Sequence, residues 1–132
     1  MSETNTNIKK LRGDFGENAV CEYLENRGYK IIARNFRKPF GEIDIIALHN
    51  GEVAFVEVKS RKFESLTDGA DAVNRDKRRK IVRTARAFLS ENGEFRNMNA
   101  RFDVASVVLT TEVVPRVLEL EYFEDAFEAA YV

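Results

Sequence analysis

Residues 41–61 read GEIDIIALHNGEVAFVEVKSR, two apolar-rich runs joined by the dipeptide Asn50-Gly51. A two-residue hairpin loop needs positive φ at both central positions, and Asn-Gly supplies it at least steric cost, so the stretch is read as a β-hairpin. Pairing outward from that loop sets Asp44 opposite Glu57 and Glu42 opposite Lys59. Side chains alternate along a strand, so Glu42, Asp44, Ile46 and Leu48 share one face with Val53, Phe55, Glu57, Lys59 and Arg61. Ile45, Ala54, Val56 and Val58 cover the other face. Such a hairpin is buried on both sides, with a charged cluster at one rim.

Directly opposed carboxylates repel. At an effective dielectric of ~20, two unit charges about 5 Å apart cost on the order of 3 kcal/mol, a large share of a small domain's stability. A divalent cation would turn that repulsion into a binding site. Carboxylates with open water positions suit Mg2+ or Mn2+, and the chain has one histidine, His49, and one cysteine, Cys21, which argues against a zinc cluster. Lys59 beside such a pair can neutralise a phosphate or assist the attacking water. Asp44, Glu57, Lys59 and Glu42 are therefore candidates for catalysis, Asp44 and Glu57 for the metal. The same pattern also fits an exposed hairpin face with Glu42 and Lys59 as a simple cross-strand salt bridge.

Outward from the hairpin, Leu11, Phe15, Ala19 and Tyr23 recur every four residues and Gly28 follows, which predicts a helix over about 11–27 with those residues on its apolar face. Residues 1–10 are polar and patternless and read as a frayed leader to a domain over 11–132. Tyr29–Phe36 is a short strand closed by the basic turn Arg37-Lys38-Pro39. A loop over 62–69 leads to a helix over about 70–91 with Val73, Ile81, Ala85 and Phe88 on one face. RFDVASVVL (101–109) and PRVLELEYF (115–123) read as strands, and EDAFEAAYV (124–132) as a short terminal helix. The expected fold is one α/β domain of order α-β-β-β-α-β-β, a mixed sheet of about five strands flanked by helices.

The formal net charge of -1 conceals segregation. Arg75, Lys77, Arg78, Arg79, Lys80, Arg83 and Arg86 face only Asp76 in opposition, while Glu112, Glu119, Glu121, Glu124, Asp125 and Glu128 face only Arg116. Arg75, Arg79, Arg83 and Arg86 fall within about a quarter of the helical circumference, a spacing suited to a phosphate backbone. With Arg61 and Lys77 they are the candidate nucleic-acid contacts; a solvated helix face is the alternative. Lys77 lies toward the Ile81 and Phe88 side, either leaning over the acidic cluster or snorkelling at the core edge. Asp103 shares its strand face with Ala105 and Val107 and is read as a buried hydrogen-bonding residue in preference to a third metal ligand. The amino terminus has no apolar signal core and charges interrupt every apolar run, so a cytoplasmic protein with no membrane partner is expected.

With GEIDIIA and FVEVKSR, and with GDFGENAV, GYKIIARNFR, RFDV and the closing DAF around them, the chain resembles the YraN-type family of small bacterial proteins. It is also similar to the wider restriction-endonuclease-like superfamily and to the archaeal Holliday junction resolvases within it. The resemblance implies a restriction-endonuclease-like fold, a metal held by Asp44 and Glu57, Lys59 as catalytic lysine, and Glu17 as the helix glutamate that approaches the site. Helical geometry sets Glu17 beside Val20 and Leu24, at the border of the apolar side, where a solvated glutamate fits as well. The implied activity is metal-dependent phosphodiester hydrolysis of nucleic acid, DNA before RNA and in structured or branched form, by a chain that can pair as a homodimer. A nucleic-acid-binding or interaction module with the same fold and no turnover is the competing expectation.

Overall fold

Asn50 and Gly51 take φ of 50° and 78°, the left-handed pair that a tight hairpin demands. The strands they join, β2 (Gly41–His49) and β3 (Glu52–Lys62), pair antiparallel in the expected register, from His49 with Glu52 to Ile45 with Val56. A computed structural model of the protein describes the backbone of residues 2–63 and 74–129, and the side chains of these apart from 2–9 and 12. The other elements are α1 (Ser2–Asn26), β1 (Lys30–Lys38), α2 (Arg75–Glu91), β4 (Asn99–Leu109) and β5 (Val117–Phe127). They form a five-stranded sheet in the order β1-β2-β3-β4-β5, antiparallel throughout except between β3 and β4. The parallel pair is joined through α2, as a crossover requires. Element order and mixed sheet fit the restriction-endonuclease-like arrangement.

Each helix covers one face. Val20, Cys21 and Leu24 of α1 pack on Ile45, Ala47, Ala54, Val56, Ala105 and Val107. Ile81, Val82, Ala85 and Phe88 of α2 pack on Ile43, Ile46, Val53, Phe55 and Phe102. Among the described residues no helix is long and apolar enough to cross a membrane.

Three expectations are corrected. α1 starts at Ser2, ahead of Leu11, and buries a different face: Leu11 and Phe15 are 50% and 36% exposed while Val20 and Leu24 are fully buried. Gly16 lies on the buried face, where a Cβ would meet Ser60 Oγ of β3, so its bare backbone permits the close approach of α1 to the sheet. α2 starts at Arg75, where the Asn74 side chain accepts from the Lys77 amide at 2.9 Å and caps the helix. Ala70 to Val73, and the loop from residue 64, lie outside the described residues. The expected terminal helix is strand as far as Phe127, whose buried ring stacks on Phe102 at 5.2 Å; residues 130–132 lie outside the described ones. Asp125 at φ 53° takes up the shift in register, its amide donating to Asp103 Oδ1 at 2.8 Å.

Candidate active site

The β2–β3 ladder stops at Ile45 and Val56, and beyond it the Val58 amide donates to Asp44 Oδ2 at 2.7 Å. A side chain thus stands where a backbone carbonyl would continue the sheet. On the other side of β2, the pairs Arg34/Ile45 and Phe36/Ile43 enclose Asn35, held at φ 51°, and Asp44. Ile43 and Phe36 then turn to the α2 side even though Ile45 faces α1, so strict alternation breaks at Asp44.

That break decides which predicted residues meet. Asp44 and Glu57 come together as the hairpin register implies, within range of a carboxylate–carboxylate hydrogen bond. Burial and then the Glu57 charge push Asp44 up to about 8, against the lowering effect of the Val58 amide, and Glu17 adds to the rise. Glu57 is buried, and Lys77 of α2 sets Nζ 2.5 Å from its Oε1, so Lys77 leans into the acidic cluster. Burial would lower Lys77, but its hydrogen bond to Glu57 and the charges of Glu57 and Asp44 outweigh this and raise it. Lys59 is half-buried within hydrogen-bonding range of Lys77.

Glu17 approaches from α1. Burial raises its carboxyl, opposed by Asn35 and Arg34, and Asp44 senses its charge. Its Oε1 is buried with no hydrogen-bond partner, Arg34 reaching only to 3.6 Å. Glu42 pairs with Arg37 of β1 at 3.3 Å and lines a cavity shared with Glu17 and Asn35.

Arg75, Arg79, Arg83 and Arg86 are exposed along α2, as a phosphate-tracking stripe requires. Arg61 stands apart from them, close enough to Glu121 of β5 to act on its charge. Sequence reasoning left Arg37 and Lys38 as a mere turn and did not single out Phe40. They wall a groove of about 650 Å³ with Arg79, Lys80 and Arg83. The signal was their composition, but only the fold brings β1 against α2. Asp103 is fully buried on the α1 side, bound by Arg101, Tyr122 Oη at 2.5 Å and the Asp125 amide, hence structural. Cys21 is buried, and His49 stacks on Tyr29 at 4.0 Å. Among the described residues no group of three carboxylate, histidine or cysteine side chains is gathered to hold an ion.

A model of uncharacterised protein family UPF0102 matches residues 16–107, a span that includes Glu17, Asp44, Glu57, Lys59 and Lys77. A UPF0102 protein of Alkaliphilus metalliredigens is 38% identical over 120 residues, covering 91% of this chain and 100% of its own. One of Clostridium acetobutylicum is 40% identical over 121 residues, 92% of this chain and 97% of its own. One of Treponema pallidum is 42% identical over 120 residues, 90% of this chain and 94% of its own.

Proposed function

The chain belongs to the UPF0102 (YraN) family, and from that premise and its acidic site we propose that it is a metal-dependent nuclease, hydrolysing phosphodiester bonds in nucleic acid, DNA before RNA. The observation that carries this is the pairing of the half-buried Asp44 with the buried Glu57 where β2 and β3 part.

The residues fit a hard divalent cation. Asp44 and Glu57 offer paired oxygens whose repulsion a proton on Asp44 now relieves, and a cation would take that proton's place beside Lys77, 2.5 Å from Glu57. Glu17 stands behind them, its Oε1 without a hydrogen bond but 3.6 Å from the Arg34 guanidinium, so it senses the pair without completing a third ligand. Asp44 and Glu57 would hold Mg2+ or Mn2+, which supplies charge to a phosphodiester oxygen and acidifies bound water. Val58 fixes the Asp44 carboxyl by its amide, and Lys77 orients Glu57. Lys59, beside Lys77, is placed to donate to a phosphate oxygen whose charge grows as the bond breaks.

One observation favours a binding module without turnover: Lys77 already pairs with Glu57, a carboxylate the metal would use. The two readings separate on a panel of single-stranded, duplex, flapped and four-way DNA incubated with Mg2+, Mn2+ or chelator. The nuclease cuts at least one member only with metal. A protein that binds the panel and cuts none of it is the module.

A further inference from the structure

The β1–β2 turn is seated on α2 at contact distance. A Cβ on Gly41 would come within 2.5 Å of Thr84 Oγ1 and 3.0 Å of the Lys80 carbonyl, and Thr84 is itself fully buried and bonded to that carbonyl at 2.7 Å. The turn is therefore a fixed wall. Between it and the helix runs the groove of about 650 Å³, in which Arg37, Lys38, Arg79, Lys80 and Arg83 outnumber the acids Glu42 and Asp76. Arg37 and Lys38 are engaged by Glu42 and Glu91, while Arg79, Lys80 and Arg83 lie exposed along α2. Phe40 sits at the tip of the turn, partly exposed, with the Arg83 guanidinium over its ring at 4.1 Å from the centroid.

We infer that this groove binds a single-stranded segment of the substrate, with Phe40 and Arg83 as the platform on which one unpaired base stacks. The inference rests on the nucleic-acid reading and narrows it to substrates with unpaired nucleotides beside the cut. A purely electrostatic groove tracks phosphates and needs no aromatic side chain in its wall. A planar cation over an aromatic ring offers flat surface to any base, but a base inside a duplex is already stacked on its neighbours and cannot use it. The location suits such a substrate. Lys77, which touches Glu57, precedes Arg83 on α2 by about 9 Å along the axis and roughly a third of a turn around it.

The test is fluorescence anisotropy of the full chain, in chelator, with labelled oligothymidylate and with blunt duplex DNA. F40A lowers affinity for oligothymidylate about tenfold, the worth of one stacked base, and leaves duplex affinity within about twofold. F40W retains wild-type binding of both. F40L, which keeps the apolar bulk without the ring, behaves as F40A and carries the test if F40A fails to fold. A 2-aminopurine placed in the oligonucleotide is quenched on binding wild type and not on binding F40L. Equal losses on both DNAs, or no loss on either, overturn the platform while leaving the nucleic-acid reading intact. Wild-type protein that binds neither DNA overturns both.

Discussion

The Val58 amide donates to Asp44 Oδ2 at 2.7 Å, so the acid at the centre of the candidate site is also the group that ends the β2–β3 ladder. A hydrogen bond of this kind favours the ionised carboxylate, yet burial beside Glu57 overrides it and Asp44 is pushed up to about 8. Structure and latent charge are thus joined in one side chain.

Stability without divalent metal follows from that shift. The folded state holds the Asp44 proton up to about 8, whereas the unfolded chain releases it near 3.8. Between those values the folded state binds more protons, so this group's contribution is fully present below about 3.8 and is lost as pH rises through about 8. Thermal melts of wild type and D44N in chelator, from pH 5 to 9, check this. Wild type loses Tm relative to D44N as pH rises, and parallel curves contradict the shift.

Lys77 holds a buried partner while itself half exposed, so its loss strands the Glu57 charge. K77M costs about 1–2 kcal/mol, a buried-pair penalty reduced for solvent screening. Adding E57Q recovers most of it, because no charge is then left unpaired. Urea melts of the single and double variants read the coupling, and additive losses contradict it.

Asp103 is fully buried on the face opposite the acidic site, where Arg101, Tyr122 and the Asp125 amide bind it. D103A removes the main partner of the Arg101 guanidinium, which keeps only Glu52 and Tyr29, and destabilises by about 3 kcal/mol, the low end for a broken buried pair. Manganese affinity of the folded protein at low temperature stays unchanged. A selective loss of metal binding in a folded D103A protein would contradict the assignment.

The exposed arginines of α2 are expected to set the salt dependence of DNA binding. R79E with R86E weakens single-stranded and duplex DNA alike, and each neutralised phosphate contact lowers the slope of log affinity against log salt by about 1. Filter binding across a salt series measures it. An unchanged slope with an intact fold makes that helix a solvated surface.

Legibility in the sequence followed the range of the interaction that decides each feature. Asn50-Gly51 sets its turn by local conformation alone, so the hairpin register and the Asp44–Glu57 meeting could be read directly. The Arg37 partner of Glu42 could not be read, because it depends on how β1 pairs with β2. The buried face of α1 follows from how Val20, Cys21 and Leu24 meet the sheet, a long-range packing that the regular spacing of Leu11 and Phe15 does not reveal. Glu124 to Phe127 look helical by composition, but Phe127 gains more by stacking on Phe102 in the sheet. The basic groove is a meeting of two elements, and neither carries it alone.

The central claim is that Asp44 and Glu57 hold a divalent cation for catalysis, and calorimetric titration with Mn2+ tests it most directly. Wild-type protein takes up the ion with proton release that diminishes as pH rises past about 8, since Asp44 is by then already ionised. D44N and E57Q keep their shape and lose the binding heat, because the amide removes the charge that holds the ion. K59A binds Mn2+ nearly as wild type does. A wild type that binds no Mn2+, or a D44N protein that binds it equally well, contradicts the account.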